Sequence, residues 1–153
     1  MRNVPQLTVN WHVLEACNYN CYYCYAKYAR KSNFSSDYQK VLWELSGLIE
    51  RPLLFKGQNV VQAESIRVNF AGGEPFLAKD LSKAISYAYE LGLQPSFISN
   101  GSLITVDFIK KFGHMISVAG FSIDTLDQET NMLIGRQTNQ LVSMNLQFMK
   151  IIF

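Results

Sequence analysis

Three residues whose type and spacing could do chemistry stand within eight positions: Cys17, Cys21 and Cys24, in the stretch EACNYNCYYCYAK (residues 15–27). They are the whole cysteine content of the 153-residue chain. The spacing is C-x3-C-x2-C. A structural zinc site takes four ligands, commonly as two pairs. Here there is no fourth cysteine, and His12 and His114 form no closely spaced histidine pair. A [4Fe–4S] cluster has four corners for thiolate ligands. Three cysteines leave one iron open, and an open metal position is the mark of chemistry rather than of structure. The fourth ligand would then be a small molecule. The competing reading is three buried free thiols that happen to be neighbours, since cysteine is often buried. Their clustering on one polar loop argues against it. Tyr19, Tyr22, Tyr23, Tyr25 and Tyr28 stand among and after the cysteines. They are expected to shield a cluster from water, which tunes its potential, although several also fit ordinary core or surface tyrosines.

A second candidate is NFAGGEPF (residues 69–76). Gly72 and Gly73 at a strand end let backbone approach a ligand closely. Glu74 sets a carboxylate beside them and Pro75 fixes the turn. Taken alone, the motif also fits a plain Gly-Pro turn.

These residues need elements to position them. Residues 7–16 (LTVNWHVLEA) are β-rich and predict a strand running into the cysteine loop. Over 36–50, Tyr38, Val41, Leu42, Leu45, Leu48 and Ile49 recur at helical spacing, with Ser36 as N-cap and Pro52 and Gly57 at the exit. A second strand is predicted over 65–73. A helix follows over 79–91, with Leu81, Ala84, Ile85, Ala88 and Leu91 on one face and Gly92 closing it. A third strand spans 95–101. Thr105 caps a short helix carrying Phe108, Ile109 and Phe112, with Gly113 past its end. A fourth strand spans 118–124, and a last helix about 139–152 presents Leu141, Met144, Phe148 and Ile151.

The order is βα four times, with no tight hairpin signal between neighbouring strands. It predicts an α/β fold with a parallel sheet under helices. Ligands of such folds bind at the C-terminal ends of the strands, where both motifs fall. Asn10 and His12, two apart on the first strand, share a sheet face. With Arg67 they are polar in otherwise apolar strand segments. His12 alone also fits a hydrogen-bonded core histidine.

The net charge of +2 and 17 % charged residues argue against a nucleic-acid polymer as partner. A 48 % apolar content can build one core, so a single domain over 1–153 is expected. No apolar run approaches the roughly 20 residues of a membrane span, and the N-terminal stretch lacks the apolar segment of a signal peptide. A cytoplasmic, membrane-free protein with reduced thiols is the expectation. Four strands would leave an open sheet edge, so the chain is expected to be the first part of a larger domain.

The C-x3-C-x2-C spacing with Tyr23 before the last cysteine resembles the radical S-adenosylmethionine (SAM) superfamily, and GGEP strengthens the likeness. VNWHVLEAC, SNGSLI (residues 99–104) and SIDTLDQETNMLIGR (residues 122–136) further resemble its viperin-like enzymes. That likeness runs from about Val9 to Arg136.

The resemblance implies a partial parallel (βα) barrel, with about four units of an expected six. It implies a [4Fe–4S] cluster on Cys17, Cys21 and Cys24, and SAM on the open iron. SAM would be held by Gly72, Gly73, Glu74, Pro75, Ser122, Arg136 and Asn100. Asn100 also fits a residue that simply holds the Asn-Gly turn, and Arg136 a solvated surface arginine. Asn10 and His12 would face a nucleotide. Arg67 stands where the family carries a lysine for the triphosphate, and a guanidinium also suits phosphate. No side chain is assigned as catalytic, because the 5′-deoxyadenosyl radical from SAM takes the substrate hydrogen. The implied reaction dehydrates a nucleoside triphosphate to its 3′-deoxy-3′,4′-didehydro form in antiviral defence. A flavodoxin- or ferredoxin-type donor would supply the electron. Two alternatives are another radical SAM enzyme acting on a peptide or small molecule, and an inactive Fe–S-binding fragment.

Overall fold

The computed structural model describes residues 2–24 and 37–136. Ser36, Tyr25, Tyr28 and the helix expected over 139–152 lie outside them. Four strands, β2 (Leu7–Leu14), β5 (Ile66–Gly72), β6 (Gln94–Ser99) and β7 (Val118–Phe121), form one sheet in the order β2-β5-β6-β7. All its pairings are parallel, as the βα order predicts.

The register sorts side chains by alternation. Asn10 pairs with Asn69, and Asn69 with Ser96. These polar residues occupy one face, while Val68, Phe70 and Phe97 occupy the other and are buried. Helices α1 (Tyr38–Glu50) and α2 (Leu81–Glu90) cover that apolar face. Leu42 of α1 and Leu81, Ala84, Ile85 and Ala88 of α2 are buried, on the faces that their spacing predicts. At the end of α2, Gly92 has φ +75°. Its N–H donates to Tyr89 and that of Leu93 to Ala88, so a Schellman turn closes the helix. Helix α3 (Val106–Phe112) begins where Thr105 accepts the Phe108 N–H at 3.1 Å, the predicted cap. Phe108 stacks edge-on against Phe76, which does the same against Phe97.

Three features depart from the predicted order. Strands β3 (Leu53–Phe55) and β4 (Gln58–Ala63) form an antiparallel hairpin, and β1 (Arg2–Val4) joins β4 in a second sheet, ordered β1-β4-β3. This hairpin lies between the first two predicted strands, in a stretch where no strand was expected. The two-residue turn is Lys56-Gly57, both at positive φ (49° and 76°). Such turns are usually marked by Asn or Asp before the glycine, and lysine hides the signal. The six-residue helix α4 (Gln128–Leu133) is too short to show a helical period, although Asp127 caps it by accepting the Thr130 N–H. Helix α3 ends at Phe112 with Gly113 past it, as expected, but Gly113 keeps helical dihedrals and opens a 3-10 turn, Gly113–Met115.

Candidate active site

The cysteine loop leaves the C-terminal end of β2 after a register shift between His12 and Leu14. The shift buries Val13 and Leu14 in succession and turns the chain toward the end of β5. There the two motifs meet backbone to backbone. Gly73 N–H donates to the Leu14 carbonyl at 3.0 Å, and Glu74 N–H to the Ala16 carbonyl at 2.8 Å. A Cβ on Gly72 would overlap the Leu14 carbonyl oxygen, and one on Gly73 that of Ala16. The paired glycines are thus required by the loop's approach.

Farther along the loop, Asn20 N–H donates to the Gly135 carbonyl at 3.1 Å and Tyr22 N–H to Ile134 at 3.3 Å. The segment after α4 therefore flanks Cys21 on both sides. The hydroxyl of Tyr23 donates to Asp124 Oδ2 at 2.5 Å. The Arg136 guanidinium faces the same carboxylate at 2.8 Å and donates through Nη1 to the Ser122 carbonyl at 2.5 Å. Its charged carbon lies 5.9 Å from the Tyr19 ring centre. Burial pushes the Tyr23 hydroxyl well above the ordinary phenol range, with the Asp124 hydrogen bond acting in the same direction.

An open cavity of about 510 Å³ lies at these strand ends. Cys17, Cys21 and Cys24 line it, with Gly72, Gly73, Asn100, Ser122 and Arg136 beside them and Asn10 and His12 on its sheet wall. Ten of the thirteen residues expected at the site thus face one space. Glu74, Pro75 and Arg67 do not line it.

Glu74 is fully buried, its carboxylate accepting from Ser99 Oγ (2.8 Å), Asn100 N–H (2.8 Å) and Phe76 N–H (3.1 Å). Burial nevertheless pushes its carboxyl above the usual value, against those three bonds. Pro75, also buried, starts a 3-10 turn behind it. Arg67 lies two residues before Asn69 on the same strand face, about 7 Å lower, and donates to Thr8 Oγ1 at 3.2 Å. Tyr19 and Tyr23 line the cavity, whereas Tyr22 is 76 % exposed and shields nothing. Sequence reasoning missed Asn18, Asn69 and a defined role for Asp124. Asn18 follows Cys17 directly, and Asn69 opens the glycine motif, so their positions were the available signal.

Among the described residues, no three His, Cys, Asp or Glu side chains converge on a single-ion site. A cubane asks something different, since each thiolate takes a separate iron. The donor set fits that demand, with three free cysteines around one cavity and bare glycine backbone beside them. Burial raises the Cys17 thiol, the opposite of what a lone reactive nucleophile needs.

Fold and site together define an α/β cofactor-binding domain with its chemistry at the C-terminal strand ends. The family model of the radical SAM superfamily matches residues 11–147, and the chain belongs to that superfamily. The cofactors of that superfamily are a [4Fe–4S] cluster and SAM, and S-adenosylmethionine-dependent nucleotide dehydratases stand among the chain's matches. An S-adenosylmethionine-dependent nucleotide dehydratase from Psychrobacter lutiphocae is 36 % identical over 133 residues, 86 % of this chain and 45 % of that protein. One from a Fibrobacter species is also 36 % identical, over 90 % of this chain and 39 % of its own length. The dehydratase RSAD2 of Siniperca chuatsi is 32 % identical over 84 % of this chain and 34 % of its own. The chain thus spans less than half the length of these relatives. Among solved structures, Streptococcus suis SuiB bound to S-adenosylmethionine superposes with a TM-score of 0.63 at 19 % identity, covering 87 % of this chain and 28 % of SuiB. That likeness shows the fold.

Proposed function

We propose that this chain forms the cluster-binding part of a viperin-like dehydratase that converts a nucleoside triphosphate to its 3′-deoxy-3′,4′-didehydro form in antiviral defence. The observation that carries the reading is one cavity bordered by two residue sets, the three cysteines and the Asn10–His12 pair. The similarity to S-adenosylmethionine-dependent nucleotide dehydratases supports the choice of nucleotide. When bound, the cluster and SAM would supply a radical able to take hydrogen from C4′ of the ribose; loss of the 3′-hydroxyl as water then requires one proton and one further electron, so each turnover would draw two electrons.

The chain's own residues bind and orient. Cys17, Cys21 and Cys24 hold the cluster. The Gly72–Gly73 backbone faces the SAM amino group, and Glu74 and Pro75 act from behind by fixing that backbone. Ser122 and Arg136 receive the carboxylate end. Asn10 and His12 face the sugar, and Arg67 is reached by a triphosphate running down the sheet past Asn69. Both electrons, the one for SAM cleavage and the one that completes the dehydration, come from a flavodoxin- or ferredoxin-type donor. No helix among the described residues is long and apolar enough to cross a membrane.

The test is anaerobic reconstitution, then reductant, SAM and each nucleoside triphosphate in turn. Expected are about four irons per chain, SAM cleavage, and one nucleotide product lighter by a water. His12→Ala should cut that product while sparing SAM cleavage measured without substrate. SAM cleavage with no nucleotide losing water overturns the dehydratase reading and leaves the superfamily chemistry standing.

A further inference from the structure

The side chains of Asn18, Asn100 and Ser102 close a three-membered hydrogen-bond ring. Asn100 Nδ2 donates to Asn18 Oδ1 at 2.9 Å, Asn18 Nδ2 to Ser102 Oγ at 2.8 Å, and Ser102 Oγ to Asn100 Oδ1 at 2.6 Å. Each member both gives and receives, so the ring has one internally consistent donor pattern. The Ser102 N–H adds a fourth bond to Asn100 Oδ1 at 2.9 Å. Gly101, at φ +79°, makes the tight turn that lets residues 100 and 102 face the same partner.

The ring rests on a fixed base. Asn100 N–H is held by the buried Glu74 carboxylate, whose own backbone N–H holds the Ala16 carbonyl. Ala16 and Asn18, the two neighbours of Cys17, are therefore both tied to one block made of Glu74 and Asn100. Two routes, one through backbone and one through side chains, converge on the residues flanking a single thiol.

We propose that this ring is a positioning device that pre-forms the first turn of the cysteine loop before the cluster arrives. Asn18 and Ser102 are positioning residues, and Asn100 acts on the cofactor site through Asn18. The inference rests on the reading that the three cysteines hold a cluster. Its advantage is entropic: a loop already in the bound shape does not have to be ordered when it takes its ligand. Each ring bond contributes on the scale of a single buried hydrogen bond, about a factor of five in local opening.

Two readouts separate the ring from the cluster. In metal-free protein, Asn18→Ala and Asn100→Ala should each speed amide exchange over residues 19–24 by about five- to tenfold. Ser102→Thr, which keeps the hydroxyl, should restore most of the wild-type protection that Ser102→Ala loses. After anaerobic reconstitution, the two Asn→Ala variants should hold less iron per chain and give a broadened or shifted electron paramagnetic resonance signal. Gly92→Ala, remote from the loop, serves as a control for general destabilisation and should leave exchange over 19–24 and the spectrum unchanged. Unchanged exchange in both Asn→Ala variants overturns the ring as a clamp. So does iron uptake with a wild-type spectrum, or a change that Gly92→Ala reproduces. A wild-type chain that takes up no iron sinks the cluster reading, and the proposal with it, while the exchange data still report whether the ring holds the loop.

Discussion

The carbonyl of Gly135 accepts the backbone N–H of Asn20 at 3.1 Å, so closely that a Cβ on residue 135 would overlap the carbonyl oxygen of Asn20. A residue after α4 and a residue inside the cysteine loop are thus packed main chain against main chain. Gly135 also stands at φ +79°, a conformation costing an L-residue about 1–2 kcal/mol. Gly135→Ala therefore carries two penalties, backbone strain and a clash that breaks bonds worth about 1 kcal/mol each. The expected outcome is a loss of about 2–4 kcal/mol in local stability, read as faster exchange at the Asn20 and Tyr22 amides. Gly92 has nearly the same φ, +75°, but nothing within 4 Å of its added Cβ. Gly92→Ala should cost only the backbone strain and leave those amides protected. Equal loop exchange in the two variants would refute the steric argument.

Gly73 isolates the steric effect, because its role is close approach and not positive φ. An added Cβ meets the carbonyl of Ala16 and the backbone nitrogen of Cys17, neither of which is a flexible side-chain end. Gly73→Ala should push the start of the loop off the end of β5. Cys17 is half-buried in the native chain, so its alkylation by iodoacetamide should accelerate by about fivefold or more, the equivalent of one lost hydrogen bond. Unchanged thiol reactivity would show that the loop does not depend on this glycine.

Glu74→Gln replaces a carboxyl whose two oxygens can both accept, protonated or not, by an amide whose nitrogen can only donate. The three donors that converge on Glu74 cannot all be satisfied by an amide, at a cost of about 1–3 kcal/mol at acidic pH. The pH dependence has a definite sign. Burial holds the folded carboxyl above its ordinary value, so the native state keeps the proton more tightly than the unfolded chain. The stability this adds is full below the ordinary carboxyl value and is lost as pH rises through the raised one. The gap between wild type and Glu74→Gln, followed by urea denaturation across that window, should narrow as pH rises. A gap that widens with pH contradicts this account.

Asp127 shows the opposite sign. Its carboxylate caps α4 by accepting from Thr130, and those bonds hold its carboxyl below the usual range. The cap's contribution is present above the ordinary value and lost as pH falls through the depressed one. Asp127→Ala should therefore loosen α4 at neutral pH, and the difference should vanish in strong acid. Since Ile134 and Gly135 continue from α4 to the cysteine loop, exchange at Asn20 and Tyr22 should rise in step with that at Arg136. Asp127→Asn, another good cap, should retain most of the protection. Protection in the alanine variant equal to wild type would remove the cap from the chain of support.

Sequence reasoning reached the four parallel strands, both covering helices and the cysteine and glycine motifs, because each is a local pattern. Apolar residues at helical spacing name the buried face of α2 without knowledge of its partner, and three clustered thiols name a metal chemistry. The β3–β4 hairpin escaped because Lys56 adopts a turn conformation that its type does not advertise. Helix α4 escaped because six residues are too few to display a period.

What the amino-acid order determined by itself is therefore the sheet, its sidedness and the chemical class of the site. Tertiary structure alone decided which atoms do the positioning. Glu74 sits next to two glycines at the cavity yet turns its carboxylate into the core, and Asn100 spends its amide on Asn18. Asn18 and Ser102 are 84 positions apart, Tyr23 and Asp124 are 101. Periodicity and propensity act over a few residues, whereas a hydrogen bond requires atoms within about 3 Å. Only the packed sheet brings such distant residues that close.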